Sequence, residues 1–293
     1  MNLEDKLFGW TGPSSNTEKD KQDRTERMIR EAIDSHEPLN SCSLNVFAKG
    51  SYANNTNVRT DSDVDIAVEC TEVLYWKESE NGNHTPSKSY EGVWTPEKLR
   101  AELVSAMNAK FPGQVDTSGS TAIQINSSSA RVDADVVPCF SYRYYMKYGT
   151  RDGTKIFKTD GSSIVNYPVQ QMENGTAKNK VTGYAYKKGA RLLKRIENAM
   201  AADEQFRELP SFFMECLAYN CPDYVFSYST WVERLQAMLF YIWDNLQGDE
   251  PDEGRWLEVN ECFFLFHSGQ TWSRKDGRDF AKAAWNYLDL DNA

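Results

Sequence analysis

Histidine is nearly absent from this chain. Its 293 residues hold three, His36, His84 and His267, far apart in sequence. That argues against a histidine-built zinc site or an imidazole relay to a nucleophile. The six cysteines, Cys42, Cys70, Cys139, Cys216, Cys221 and Cys262, form no Cys-x-x-Cys pair and read as reduced, mostly buried thiols. Positive charge is in deficit, with a net charge of −10. A generic nucleic-acid coat protein, which depends on cations meeting phosphates, is thereby excluded, while a local basic pocket is not. No apolar run approaches the ~20 residues of a membrane span. The opening MNLEDKLFGW lacks the basic-then-apolar order of a secretory signal. The expectation is a cytoplasmic protein with no membrane partner. Its chemistry must rest on carboxylates, hydroxyls and amines. The length suits one large domain or two modest ones, either able to bury a proper core.

What is present is a set of alternating strands followed by helices. Residues 1–15 are polar and read as a loose start. Ser14 to Asn16 can cap a helix running through Glu18–Ser35, with Met28, Ile29, Ala32 and Ile33 on one stripe. Ser43–Gly50 reads as a short strand and Ser51–Thr60 as a polar turn. In Asp63–Cys70, Val64, Ile66, Val68 and Cys70 face one way, and Asp63, Asp65, Ala67 and Glu69 the other. Residues 77–92 read as a surface insertion. Thr95 and Pro96 open a helix to about Lys110. Ala130–Cys139 alternates again, Phe140–Tyr148 reads as a further strand, and 149–163 as a loop or hairpin. Helical spacing marks Tyr184–Met200, Ser211–Tyr219, Trp231–Leu246 and Asp279–Leu288. Strands and helices mix in residues 1–170 and helices dominate 171–293, which predicts an α+β fold with a helical C-terminal lobe.

Asp63 and Asp65 share a strand face. Two like charges side by side raise each other's pKa, a cost that a bound cation removes. A third carboxylate, Asp135 or its strand neighbour Asp133, completes an oxygen donor set suited to Mg²⁺. Two such ions would form the clamp used for in-line phosphoryl or nucleotidyl transfer. An Asp-x-Asp alone is a common polar strand face. Gly50-Ser51 upstream makes the pattern far more specific, because glycine lets a phosphate approach the backbone and the serine hydroxyl can cradle it.

The stretch GSYANNTNVRTDSDVDIAV, Gly50–Val68, resembles the signature of the polymerase-β-like nucleotidyltransferase superfamily. More narrowly, the chain resembles the bacterial cGAS/DncV-like nucleotidyltransferases (CD-NTases), which make cyclic oligonucleotide messengers in antiphage defence. Asp135-Val136-Val137-Pro138, Lys180–Lys194, Leu209–Leu217 and Trp256–Phe266 carry the likeness across roughly residues 40–288. The resemblance implies a nucleotidyltransferase core that includes the N-terminal helix, a helical lobe, and a bilobed whole. It assigns Gly50 and Ser51 to the triphosphate, and Asp63 and Asp65 to both metal ions. Asp135 completes the catalytic ion and helps activate the attacking ribose hydroxyl. Lys187 and Ser211 reach the phosphates. The cofactor implied is a pair of Mg²⁺ ions, with Mn²⁺ able to substitute. Poor Cys/His content agrees with the lack of a zinc insertion, so no DNA requirement is expected.

The run Lys178–Arg195 is locally basic; Lys187 reads as the phosphate ligand and the rest as steering or structural. Phe212 is a weak candidate for base stacking, and Glu215 reads as a surface acid or an internal pairing partner. Asn166, in Ile164–Pro168, has two readings: an amide that pairs with uracil beside the donor base, or a turn residue before Tyr167-Pro168. The expected activity is condensation of nucleoside triphosphates into a cyclic oligonucleotide, a dinucleotide in preference to a trinucleotide and uridine-containing if Asn166 reads the base, with pyrophosphate release. The partners expected are the triphosphates and an effector reached through the diffusible product, and the enzyme is expected to be a monomer. Transfer to an RNA end, a protein or a small molecule remains an alternative, as does an inactive nucleotide sensor.

Overall fold

Residues 64–70, where apolar and polar side chains alternate, become the first half of a longer strand. The computed structural model describes residues 2–58, 63–82 and 90–293. In chain order its elements are α1 (Leu3–Trp10), α2 (Asn16–Asp34), β1 (Leu44–Lys49), the single helical turn α3 (Gly50–Ala53), β2 (Val64–Glu78), α4 (Pro96–Lys110), β3 (Val115–Asp116) and β4 (Ile123–Ile125). There follow β5 (Ala134–Tyr145), β6 (Thr150–Phe157), β7 (Ser163–Asn166), α5 (Pro168–Val181), α6 (Tyr186–Ala202), α7 (Ser211–Asn220), α8 (Trp231–Asn245) and α9 (Arg274–Tyr287). The expected α+β class with a helical C-terminal part is the observed one.

The chain divides into two compact units. The sheet unit comprises Ser15–Ala53 and Ser62–Pro168; the helical unit comprises Met1–Ser14, Asn54–Asp61 and Val169–Ala293.

In the sheet unit the strand order is β1-β2-β5-β4-β3, with β6 between β5 and β7. β2 and β5 run parallel, and the other pairs are antiparallel. Val64, Ile66 and Val68 meet Ala134, Val136 and Phe140 in a core covered by Ile29 and Ile33 of α2 and Leu99 and Leu103 of α4. Each fully buried large aliphatic contributes about 1.5–3 kcal/mol, so the apolar face fixes the orientation of the polar one. Ser15 caps α2 in a reciprocal box with Glu18, and Thr95 caps α4 ahead of Pro96.

Several sequence expectations need correction. Phe140–Tyr145 is a continuation of β5, because Pro138 sits where β5 passes from β4, paired as far as Val136, to β6, paired from Phe140. There a missing N–H costs no ladder bond on that flank. Residues 149–163 do form a hairpin, but β7 extends it to Asn166, which is a strand residue paired with Thr154 rather than part of a turn. The loose start contains α1, whose Leu7 is fully buried in the helical core. Its Glu4 accepts the N–H groups of Trp231 and Val232, both at 2.9 Å. α5 was not anticipated, and Gly183 and Tyr184, both at positive φ, separate it from α6. The final helix starts earlier, at Arg274, because Ser273 and Asp276 form a capping box. Of the expected insertion, 83–89 lie outside the described residues, as do 59–60 of the polar turn.

Candidate active site

Pairing of β1, β2, β5 and β4 sets four polar side chains in one row across the sheet: Lys49, Asp65, Asp135 and Gln124. The apolar face beneath them is committed to the core, so the row must face away from it. Asp65 and Asp135 are direct partners in the parallel ladder. Lys49 Nζ lies 3.3 Å from Asp65 Oδ1. Burial, then the charge of Asp65, pushes the Asp135 carboxyl above its ordinary value, while Gln124 and Lys49 partly oppose the rise. Asp63 is exposed, immediately ahead of β2. Asp133 is committed elsewhere: its Oδ1 accepts the Ser127 N–H at 2.6 Å and its carbonyl accepts the Val64 N–H.

Gly50 follows Lys49 with φ +70, in the left-handed region, and a Cβ there would collide with the Asp65 carboxylate. Glycine is therefore required twice over, for conformation and for space. Ser51 is half-buried within α3. Asn166, half-buried, pairs with Thr154, which pairs with Ser141. Ser141 lies an even number of positions along β5 from Asp135, which places Asn166 on the aspartate face.

The other two predicted residues are in the helical unit. Lys187 is half-buried in the first turn of α6, its Nζ 3.5 Å from Thr176 Oγ1. Burial, aided by Arg191, lowers its pKa against an opposing pull from Glu215. Ser211 opens α7 behind Pro210. The rest of the basic run is largely structural. Arg191 and Lys194 are 5% and 2% exposed, and Lys178 Nζ bonds the Cys221 carbonyl and Asp223, each at 2.9 Å. Phe212 packs against Trp272, with ring centroids 6.4 Å apart.

Among the described residues, no three His, Cys, Asp or Glu side chains converge as a ready metal cage. The donor set nonetheless fits a hard cation. Asp65 and Asp135 present oxygens in register, and a cation between them would relieve the repulsion that raises Asp135. Sequence reasoning missed Lys49 and Gln124. Lys49 directly precedes the Gly-Ser pair, but only the β1–β2 register shows it beside Asp65. Among the described residues, no helix is long and apolar enough to cross a membrane.

The model of the cGAS/DncV-like nucleotidyltransferase C-terminal helical domain matches residues 173–289. The chain is 36% identical over 292 residues to the cyclic dipyrimidine nucleotide synthase CdnE of Cecembia lonarensis, covering 98% of each. It is 35% identical to the cyclic dipyrimidine nucleotide synthase CdnE of Legionella pneumophila, covering 95% of each. The CdnE cyclic dinucleotide synthase of Elizabethkingia meningoseptica, solved with GTP and Apcpp, superposes with a TM-score of 0.81 at 28% identity, over 98% of this chain and 99% of that one. Motif, register and whole-chain likeness agree, and the chain belongs to the cGAS/DncV-like nucleotidyltransferases.

Proposed function

We propose that this enzyme condenses nucleoside triphosphates, without a template, into a cyclic dinucleotide that includes uridine and signals in antiphage defence. The observation that carries the reading is the Asp65–Asp135 register pair closed on one side by Gly50. Asp63, Asp65 and Asp135 would hold divalent cations, two Mg²⁺ replaceable by Mn²⁺. When bound, these supply charge neutralisation at the α-phosphate and acidify the attacking hydroxyl.

Gly50 and Ser51 cradle the triphosphate, with Lys187 and Ser211 as further phosphate contacts. Asp135 helps activate the acceptor ribose hydroxyl and takes its proton. A ribose O–P bond forms, the bond from the α-phosphate to the bridging oxygen breaks, and pyrophosphate leaves. A second round closes the ring. Asn166 reads the donor base, a role supported by its place on the aspartate face and by relatives named for dipyrimidine products. The enzyme acts as a cytoplasmic monomer, needs no DNA, and reaches an effector through its product.

Incubation with the four NTPs and Mg²⁺ or Mn²⁺, then phosphatase and mass spectrometry, is expected to yield a phosphatase-resistant cyclic product containing uridine. Only linear or mononucleotide products would overturn the reading. Asn166→Ser should lower UTP use relative to ATP and GTP by about 1–3 kcal/mol in competition assays, the worth of a bidentate amide–base pair.

A further inference from the structure

Gly153 lies inside β6, where a glycine weakens a strand because it has no side chain to pack. Its φ is not positive, so the backbone conformation does not call for glycine there. Space does. A Cβ at this position would stand 2.6 Å from the Asn166 carbonyl oxygen, 2.8 Å from Tyr167 Cδ1 and 3.0 Å from Tyr167 Cε1. One of these atoms is backbone and two belong to a ring, so none can swing aside as the tip of a long side chain would.

The ladders explain the crowding. Tyr142 of β5 pairs with Gly153, and Thr154 pairs with Asn166 at the end of β7. One further step in that antiparallel register sets Tyr167 opposite Gly153. Tyr142, Gly153 and Tyr167 therefore make one row, on the face opposite to Ser141, Thr154 and Asn166. Strands two places apart in a sheet stand about 9–10 Å from each other. The Tyr142 and Tyr167 ring centroids are nevertheless only 6.5 Å apart, edge to face at 74°. The rings lean together over the bare backbone of Gly153, and each tyrosine is 6% exposed.

This seat matters because β7 is held by little else in the sheet. It is four residues long and, among the described residues, pairs with β6 alone. Its ladder ends at Asn166. Neighbouring strand residues point to opposite faces, so a ring fixed on one face fixes how the preceding amide leaves the other. All of these residues belong to the sheet unit.

We propose that Tyr167, seated on Gly153, is a positioning residue for base selection: it sets the height and angle at which the Asn166 amide stands on the aspartate face. This rests on the reading of Asn166 as the contact to the donor base.

Gly153→Ala tests it, because the added methyl presses on the Asn166 carbonyl and the Tyr167 ring and leaves the Asn166 side chain, the aspartates and Gly50-Ser51 in place. In competition among the four NTPs, UTP use relative to ATP and GTP should fall about fivefold or more, the lower end of what a bidentate amide–base pair discriminates. Turnover of ATP and GTP supplied alone should change less. Tyr167→Leu, which keeps the glycine and removes the ring, should shift the ratio in the same direction, and Tyr167→Phe should hold it at the wild-type value. Amide hydrogen exchange in Gly153→Ala should quicken over 163–166 and not over 64–70. An equal loss with every NTP, or unchanged exchange over 163–166, would overturn the proposal. A shifted ratio in Asn166→Ser beside a wild-type ratio in folded Gly153→Ala and Tyr167→Leu would sink this proposal alone. A wild-type ratio in Asn166→Ser would sink the base reading, and this proposal with it.

Discussion

Asp135 and Glu215 are both carboxylates set into protein rather than water, one in the sheet unit and one in the helical unit. Asp135 is half-buried, faces Asp65 across the ladder, and is pushed toward its protonated form by burial and by that neighbour. Glu215 is 1% exposed and receives an amide, a hydroxyl and an ammonium. The helical unit closes its charge internally. The sheet unit leaves an excess of negative charge at the end of its strands, which lysine contact at Asp65 only partly offsets. Charge closed in this way is architecture. Charge left in surplus is a binding device, because a cation arriving from outside gains what the fold did not supply.

This contrast has measurable consequences. Asp65→Asn should cut turnover at least ~10³-fold, since cation-based charge stabilisation is worth several kcal/mol and each 1.36 kcal/mol is a decade. Its Tm in metal-free buffer should hold or rise, as repulsion on Asp135 is relieved. A lower Tm with turnover intact would place Asp65 with the structural carboxylates. Glu215→Leu should do the reverse in denaturant unfolding, losing about 3–5 kcal/mol because Lys194 is left buried and unpaired. Lys187→Ala should lower kcat/KM by about 10–150-fold, the worth of a charge-assisted contact of about 1.5–3 kcal/mol. Ser51→Ala and Ser211→Ala should cost less, about 0.5–1.5 kcal/mol each in the same kinetics.

The smallest expected effect belongs to Glu258, a buried carboxylate of the helical unit held above its ordinary 4.5 mainly by burial. Between 4.5 and its raised native value, the folded chain keeps a proton that the unfolded chain releases. Its contribution to unfolding free energy is full below that window and falls as pH rises through it. Glu258→Gln should flatten that slope in denaturant titrations run upward from about pH 4.

The sheet unit's face assignment was legible in the sequence because period-two alternation in residues 63–70 and 130–139 is a local signal. It correctly put the aspartates on one side and Val64, Ile66, Ala134 and Val136 on the other. What stayed hidden depends on partners distant in sequence. The single strand through Pro138 needed the handover from β4 to β6, which no local pattern records. Lys194 and Arg191 read as steering or structural, and which of the two stayed open because their acceptors, Glu215 and the Asn55 and Thr11 carbonyls, are remote. α1 was lost among polar residues because Leu7 is the one side chain within it that is buried.

The bond between Thr56 and Glu215 spans 159 residues, and that separation is also an interval of time. A ribosome adding roughly 5–20 residues per second makes Thr56 some 10–30 s before Glu215 exists. Throughout that interval Asn54 and Thr56 hold donors without their final acceptor and must stay hydrated. Asn54 and Thr56 are among the earlier residues synthesised and among the last to acquire their buried bonds. Nascent chains arrested before α7 therefore carry Asn54 and Thr56 without the Glu215 carboxylate that both finally bond.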